Sequence, residues 1–332
     1  MSEAWAPGKL ILCGEHAVVY ALPAIALPVE AVSATATVRP AAHGELGIVV
    51  EMADIGEHWE ATAHSEQPLA RLVSQTFEAL GIAHPPALRI VLRSTIPIAS
   101  GMGSGAALGA ALVRALATAV GHPLDAAAVS TLVYESERGF HGTPSGIDNT
   151  VVSLRSPIFF QRRPDAPPLI EPLALHGKLT LVIGDTGVRC PTRLMVRQVR
   201  ERFDTDQVVY QQHFDAIGRI VLAVRDVLRH GAIDELGALL DENHRLLQQI
   251  GVSSPELDRL VGAARNAGAS GAKLSGGGGG GIMIALAPEG RTEAIMAGLR
   301  KAGATRVIVT HLTGTRATWY NPNDSQSGIG KL

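Results

Sequence analysis

Two carboxylates flank a bend that the sequence marks clearly. In Glu137-Arg138-Gly139-Phe140-His141-Gly142-Thr143-Pro144-Ser145-Gly146-Ile147-Asp148-Asn149, Gly142 and Pro144 stop the preceding helix, and Thr143-Pro144 can cap and start another. Glu137 then falls near the end of one helix and Asp148 on the first turns of the next. Such a pair can divide the work, one carboxylate holding Mg2+ and the other facing an alcohol. Taken alone, an isolated Glu and Asp are more commonly solvated charges on a helix-turn-helix.

A second cluster opens the chain. Gly8-Lys9 precedes the apolar run Leu10-Ile11-Leu12-Cys13, which ends in Gly14-Glu15-His16. Three ionisable side chains therefore stand at the two ends of one short strand, a cluster able to bind a polar small molecule. A third segment, Gly101-Met102-Gly103-Ser104-Gly105-Ala106, leads into an Ala- and Leu-rich helix. Unpaired amides and the positive end of the helix dipole make that junction an anion site, with phosphate the favoured guest, and Ser104 offers a hydroxyl to metal or phosphate. No Gly-Lys-Ser/Thr ends the segment, so it is not a Walker A loop, and a structural glycine turn reads equally well.

Lys273-Leu274-Ser275 followed by the glycine run Gly276 to Gly281 is harder to read as mere structure. Glycine buries no side chain and loses the most backbone entropy on folding, so such a run suits a place where bare main chain approaches a ligand or a neighbouring loop. It feeds directly into Ile282-Met283-Ile284-Ala285-Leu286, a buried strand, whereas a flexible linker is padded with Ser or charge. A fifth segment, Gly184-Asp185-Thr186-Gly187-Val188-Arg189-Cys190-Pro191-Thr192-Arg193, is a polar turn whose Thr and Arg side chains suit a carboxylate or hydroxyl.

The elements that must position these residues follow from periodicity. Residues 31–38 and 88–92 alternate as strands, and Leu72, Val73, Phe77 and Leu80 are spaced as a helix over 70–80. Helices are expected from about Gly103 to Val120 and, capped by Asp125, to about Gly139. Gln161 to Pro168 reads as a Pro-rich surface loop, with a domain boundary shortly after it. Beyond it lie a strand at 179–183, helices at 207–230, 233–250 and 255–267, then strand, helix and strand up to Val309. The polar tail 321–328 is expected to fray.

Composition bounds the class. Hydrophobic residues make up 46% of the 332 and aromatics only 4%, so the cores are built from Ala, Val, Leu and Ile, as in a mixed helix and sheet enzyme-like fold. A net charge of −2 argues against nucleic acid and anionic membrane as partners. Cys13 and Cys190 form neither a disulfide framework nor a metal-ligand spacing, which points to a reduced, cytoplasmic setting. The first residues lack the pattern of a secretory signal, and the apolar stretch 106–120 is short and interrupted by Arg114, hence a buried helix.

Together and in this order, the segments resemble the motifs of the small-molecule kinases grouped as galactokinase, homoserine kinase, mevalonate kinase and phosphomevalonate kinase, over Ala6 to about Thr318. Within that group Gly14 to Tyr20 with Pro23-Ala24-Ile25-Ala26, His141 to Asn149, and Lys273-Leu274-Ser275-Gly276 are similar to the mevalonate kinase family. The resemblance implies an α/β (α+β) fold of two domains. Residues 1–175 would be an ATP-binding domain like domain 2 of ribosomal protein S5, residues 176–332 a ferredoxin-like domain, and the active site the cleft between them. It implies ATP as co-substrate, Mg2+, and mevalonate as acceptor at its primary (C5) hydroxyl. Lys9 and Asp148 would be catalytic, and Ser104 and Glu137 would hold Mg2+. Gly101, Met102, Gly103, Ser104, Gly105, Ala106, Gly276, Gly277 and Gly278 would surround the phosphates, and Glu15, His16 and Thr192 would recognise mevalonate. The resemblance leaves room for a homodimer. Two departures stand out: Gly105 where the family often has a second Ser, and Gly277 where it often has Ala, both expected to enlarge the phosphate loops. A sister kinase for phosphomevalonate, galactose or homoserine, a decarboxylase of the same group, and a non-enzymatic binding module stay open on sequence alone.

Overall fold

The apolar run at Lys9 belongs to a longer strand, β1 (Ser2–Cys13), which a short 3-10 turn (Ala17–Tyr20) joins to the 18-residue β2 (Pro23–Pro40). Residues 1–62, 64–141 and 145–314 are described in this computed structural model. The chain continues through β3 (Ile48–Met52), β4 (Glu57–Glu60), α1 (Pro68–Ala79), β5 (Leu88–Ser94), α2 (Ser104–Ala119), α3 (Ala126–His141), α4 (Ile147–Leu154), β6 (Ile158–Arg163) and β7 (Ala166–Pro172). Its strands form one mixed sheet, ordered β4-β3-β5-β2-β6-β7 with β1 paired to β2. Helix α2 is buried almost all round: its Ala and Leu side chains lie against β1 and β2, while α1, α3 and α4 pack around it. Small side chains on α2 are what allow so many elements to approach one helix.

A second layer system follows: β8 (Lys178–Asp185), α5 (Thr192–Thr205), α6 (Gln207–His230), α7 (Ile233–Gln249), α8 (Pro255–Asn266), β9 (Gly271–Ser275), β10 (Ile282–Leu286), α9 (Thr292–Lys301) and β11 (Arg306–Thr313). These strands form an antiparallel sheet ordered β11-β8-β10-β9. That order and the βαββαβ sequence are the ferredoxin-like pattern, with four helices filling the first crossover. The strands change sheet between Pro172 and Lys178.

Three local expectations need correction. The Pro-rich segment at 161–168 is no irregular loop: β6 and β7 pair through it, Arg163 opposite Ala166. Proline is tolerated there because β7 is the sheet's edge, where a missing N–H leaves no ladder bond unmade. Helix α5 was not anticipated, because its surface is dominated by charge; its buried Met195 and Val199 nevertheless fall four residues apart, on one face. Helix α4 begins at Ile147, later than a start at Thr143-Pro144, and Gly142, Thr143 and Pro144 lie outside the described residues, as does the tail 321–328. The Asp125 cap is present: Oδ1 accepts from the Ala128 amide at 2.8 Å. Among the described residues no helix is long and apolar enough to cross a membrane.

Candidate active site

Two irregularities in the pairing of β1 with β2 shape the site. The register against β2 shifts at Pro7/Gly8 and again at Ile11/Cys13. After the first, the Lys9 amide donates to Met102 O at 2.9 Å, which draws the strand against the glycine turn ahead of α2. At the edge of the second, the Ser275 hydroxyl donates to Ile11 O at 2.8 Å and accepts from Ile11 N at 3.1 Å, which joins β1 to β9 of the other sheet.

Lys9 is buried, and its Nζ lies 2.9 Å from Asp148 Oδ1 on the first turn of α4. The positive end of that helix favours the carboxylate. Gly103 caps α2 in the left-handed region at φ 71°, and a Cβ added there would sit 2.9 Å from Lys9 Cγ and 3.6 Å from Asp148 Oδ2. The ion pair therefore lies directly against the amides that open α2, with Ser104 the first helical residue. Glu137 reaches the same corner from α3: its Oε1 is 2.9 Å from where a Cβ on Gly105 would stand. Burial and the nearby Asp148 carboxylate push the Glu137 carboxyl up to about 7, against the pull of Lys9. Gly105 does not widen the loop here, because Glu137 occupies the room a side chain would have taken. Lys9, Asp148, Glu137, Ser104 and the glycine turn are thus one constellation, although the two carboxylates come from different helices.

Glu15, His16 and Thr192 gather elsewhere, around the glycine run between β9 and β10. Glu15 Oε1 is bonded to Lys273 Nζ, both side chains being enclosed. His16, at φ 59°, donates from Nε2 to Gly277 O at 2.9 Å, and burial holds its ring neutral, with the pKa lowered to about 4. Thr192 Oγ1 lies 2.9 Å from the place of a Cβ on Gly277, so that glycine too is closed over by a neighbour. Part of the run serves the chain itself: the Gly279 amide donates to Val252 O and the Gly281 amide to Val188 O, both at 2.8 Å. A Cβ on Gly281 would stand 3.1 Å from Ser100 O, which puts the end of this run beside the turn ahead of α2. Of the polar turn after β8, Arg189 is engaged in a two-point ion pair with Asp185, and the Thr186 hydroxyl donates to Gly281 O at 2.9 Å.

A glycine turn set against a buried lysine and its carboxylate partner, with the end of a second glycine run beside that turn, agrees with what comparison finds. The description "GHMP kinases N terminal domain" matches residues 69–156, and "GHMP kinases C terminal" matches residues 224–305. The mevalonate kinase of Pyrococcus furiosus is 33% identical over 324 residues, spanning 91% of this chain and 94% of its own length. The chain belongs to the mevalonate kinase family of GHMP kinases. A further member of that family, from Aeropyrum pernix, is 34% identical over 88% of this chain and 90% of its own. Among solved structures, the L. major mevalonate kinase in complex with R-mevalonate superposes with a TM-score of 0.83 at 29% identity, over 96% of this chain and 97% of that one. A Streptococcus pneumoniae phosphomevalonate kinase shares the fold, with a TM-score of 0.77 at 15% identity over 92% of this chain and 99% of that one.

One part of this GHMP kinase was passed over in the sequence. A cavity of about 620 Å³ is bordered by Val19, Tyr134, Gly146, Asn149, Arg162 and Arg163, among others. Gly146, Asn149 and Thr150 line it from the start of α4, the helix that carries Asp148, although Asp148 itself is not part of the lining. Arg162 was hidden because the Pro-rich composition around it reads as surface. The signal available was two adjacent arginines ending an apolar run, Ile158-Phe159-Phe160, on a buried strand.

Proposed function

We infer that this chain transfers the γ-phosphoryl group of ATP to the primary hydroxyl of mevalonate, giving 5-phosphomevalonate and ADP. The observation that carries the reading is the Lys9–Asp148 pair, 2.9 Å apart and set against the N-terminus of α2. An acid–base group beside a cation and a phosphate-binding helix start is the equipment phosphoryl transfer to an alcohol requires.

The acceptor oxygen bonds to the γ-phosphorus, the bond from that phosphorus to the β–γ bridging oxygen breaks, and ADP departs. Asp148 takes the hydroxyl proton. Lys9, held by Asp148 and by its own amide, neutralises charge on the entering oxygen and the transferred group. Gly101, Met102, Gly103, Ser104, Gly105 and Ala106 offer the helix-start amides to the phosphates, and Gly276, Gly277 and Gly278 close from the other domain. His16 and Thr192 act on the acceptor side through the loop on which they and Glu15 converge. Arg162, in the cavity beside α4, is suited to the carboxylate of mevalonate.

The residues present fit Mg2+. Ser104 and Glu137 supply hard oxygen donors, the Glu137 carboxyl is buried beside a glycine, and no group of three or more His, Cys, Asp or Glu competes as a metal cage among the described residues. Ser104 and Glu137 would hold the ion, which when bound neutralises charge on the phosphates. We place the boundary between the two kinase domains near residue 175, supported by the change of sheet after Pro172, with an N-terminal ATP-binding domain over 1–175 and a C-terminal one over 176–332. Small soluble substrates and two unpaired cysteines suit a cytoplasmic enzyme.

The test is ADP release by the purified protein with Mg-ATP and each of mevalonate, phosphomevalonate, galactose and homoserine, the product being weighed by mass spectrometry. Turnover with mevalonate alone, yielding a monophosphate without CO2, is expected. Turnover with another acceptor would keep the phosphate machinery and overturn the acceptor assignment.

A further inference from the structure

The stem of the glycine run is tied to the N-terminal segment at every second residue. Lys273 bonds to Glu15, the Ser275 hydroxyl bonds to the main chain of Ile11, and Gly277 O accepts from His16. Alternation along a strand puts 273 and 275 on one face, so a single face of β9 and its continuation is fastened to the end of β1. That same β1 carries Lys9. The most costly of the three fastenings is the ion pair: Lys273 is wholly enclosed in the four-stranded sheet, opposite Ile284, and the Glu15 side chain is 1% exposed.

We propose that Glu15 and Lys273 form a positioning latch that sets the glycine loop 276–281 against β1 for the binding of ATP phosphates, and that Glu15 serves the reaction through Lys273 and not by touching mevalonate. The latch rests on the kinase reading above and deepens it. Its geometry is specific to the loop. Lys273 Nζ donates both to Glu15 and, at 2.5 Å, to Leu274 O, the carbonyl just ahead of Ser275, so one ammonium clamps a side chain of the first domain and the backbone of the second. The carboxylate has no route to a substrate, because it is enclosed. Glu15 Oε2 makes no hydrogen bond of good geometry, although the backbone amides of Glu15 and Gly276 lie close enough to favour the carboxylate against burial, so the pair is incompletely satisfied. Buried pairs of that kind add little net stability over apolar replacements, while removal of one partner strands the other. What this pair contributes is therefore placement. Titratable groups nearby include Cys13, whose thiol burial and Glu15 push up, the buried His16, and His244 on α7, whose Nδ1 accepts from Leu274 N at 3.3 Å.

The experiment compares wild type, Glu15→Gln, Lys273→Met and the double variant in the full chain, reading the melting temperature, kcat, the KM of each substrate, and the Kd of a non-hydrolysable ATP analogue. Single variants are expected to melt lower, each leaving a stranded group, and the double variant to recover most of the melting temperature. In that double variant the KM for ATP and the analogue Kd rise by roughly ten- to a hundredfold, the scale of a small misplacement, while the KM for mevalonate stays within about twofold. Recovery of ATP affinity along with the melting temperature would make the pair merely structural and overturn the latch. A rise confined to the KM for mevalonate in Glu15→Gln would overturn it in favour of direct acceptor contact. Should wild type fail to phosphorylate mevalonate, the kinase reading fails by itself, and the latch is judged from analogue binding alone: weaker in the double variant supports it, equal overturns it.

Discussion

At Lys9 and Asp148 the chemistry reduces to the fate of one proton and the placing of one charge. Asp148 is about a third exposed, enough for an acceptor to reach it, whereas Lys9 is 7% exposed and held from two sides. Asp148→Asn preserves shape and the contact to Lys9 through its amide oxygen but removes the proton acceptor. Steady-state assays should show kcat lowered by roughly 10²-fold or more, while binding of an ATP analogue stays near wild type. Turnover close to normal would take Asp148 out of the mechanism. Glu137 and Asp148 were legible as paired carboxylates about a bend, because Gly and Pro announce the bend. Their meeting with Lys9 was not, since nothing in residues 1–20 states which helix start β1 will face; that link came from family resemblance. Arg162, proposed above for the acceptor's carboxylate, was read only as part of a surface loop, its neighbourhood being judged by composition and not by the strand it belongs to.

Among the elements, the β9–β10 connection shows which glycines are forced and which are merely permitted. Gly276 and Gly278 both have positive φ, 94° and 78°, so a side chain is strained at either. They differ in surroundings: a Cβ on Gly276 meets nothing within 4 Å, while one on Gly278 would fall 2.0 Å from Val252 O. Urea unfolding of Gly276→Ala should therefore report a loss of about 1 kcal/mol, the backbone term alone. Gly278→Ala should lose roughly 3 kcal/mol or more, because a carbonyl, and the bond it accepts from Gly279, must move. Equal losses would mean that the loop gives way freely at Val252. The run was readable as a loop against a buried strand because no helix or strand tolerates its composition. Which of its members are fixed by close approach was unreadable, as Val252, Val188 and Cys190 come from distant turns that only the fold brings near. Helix ends at 207–230 were plain for the opposite reason, since Asp206 and Gly231 punctuate the sequence locally.

For the whole molecule, the ferredoxin-like half emerged only as alternating strands and helices, because strand order is decided by pairing between residues far apart in the chain. That pairing also creates a burden of buried titratable groups whose balance sets stability against pH. His16 and His244 are both buried neutral, each lowered to about 4. Between pH 4 and the unfolded value of about 6.5, the unfolded chain binds more protons at these sites, so their contribution is complete above 6.5 and is lost as pH falls. Glu15 and Glu137 work in the opposite sense: burial raises both, so the folded state holds their protons longer and gains relative stability on acidification. The wild-type curve is consequently a compromise, and its overall slope identifies no single group. One substitution isolates the term. His244→Gln carries some fixed penalty at pH 7, where the histidine's Nδ1 accepts from Leu274 N and its Nε2 lies 3.2 Å from Asp258 Oδ1. From pH 7 to 5 wild type alone loses the His244 term, about 1.4 kcal/mol for each pH unit below 6.5. Urea unfolding at pH 7, 6 and 5 should thus show the stability gap between wild type and variant narrowing by about 2 kcal/mol. A gap that stays constant would mean His244 accepts a proton without opening the packing between α7 and β9, with Asp258 supplying the counter-charge.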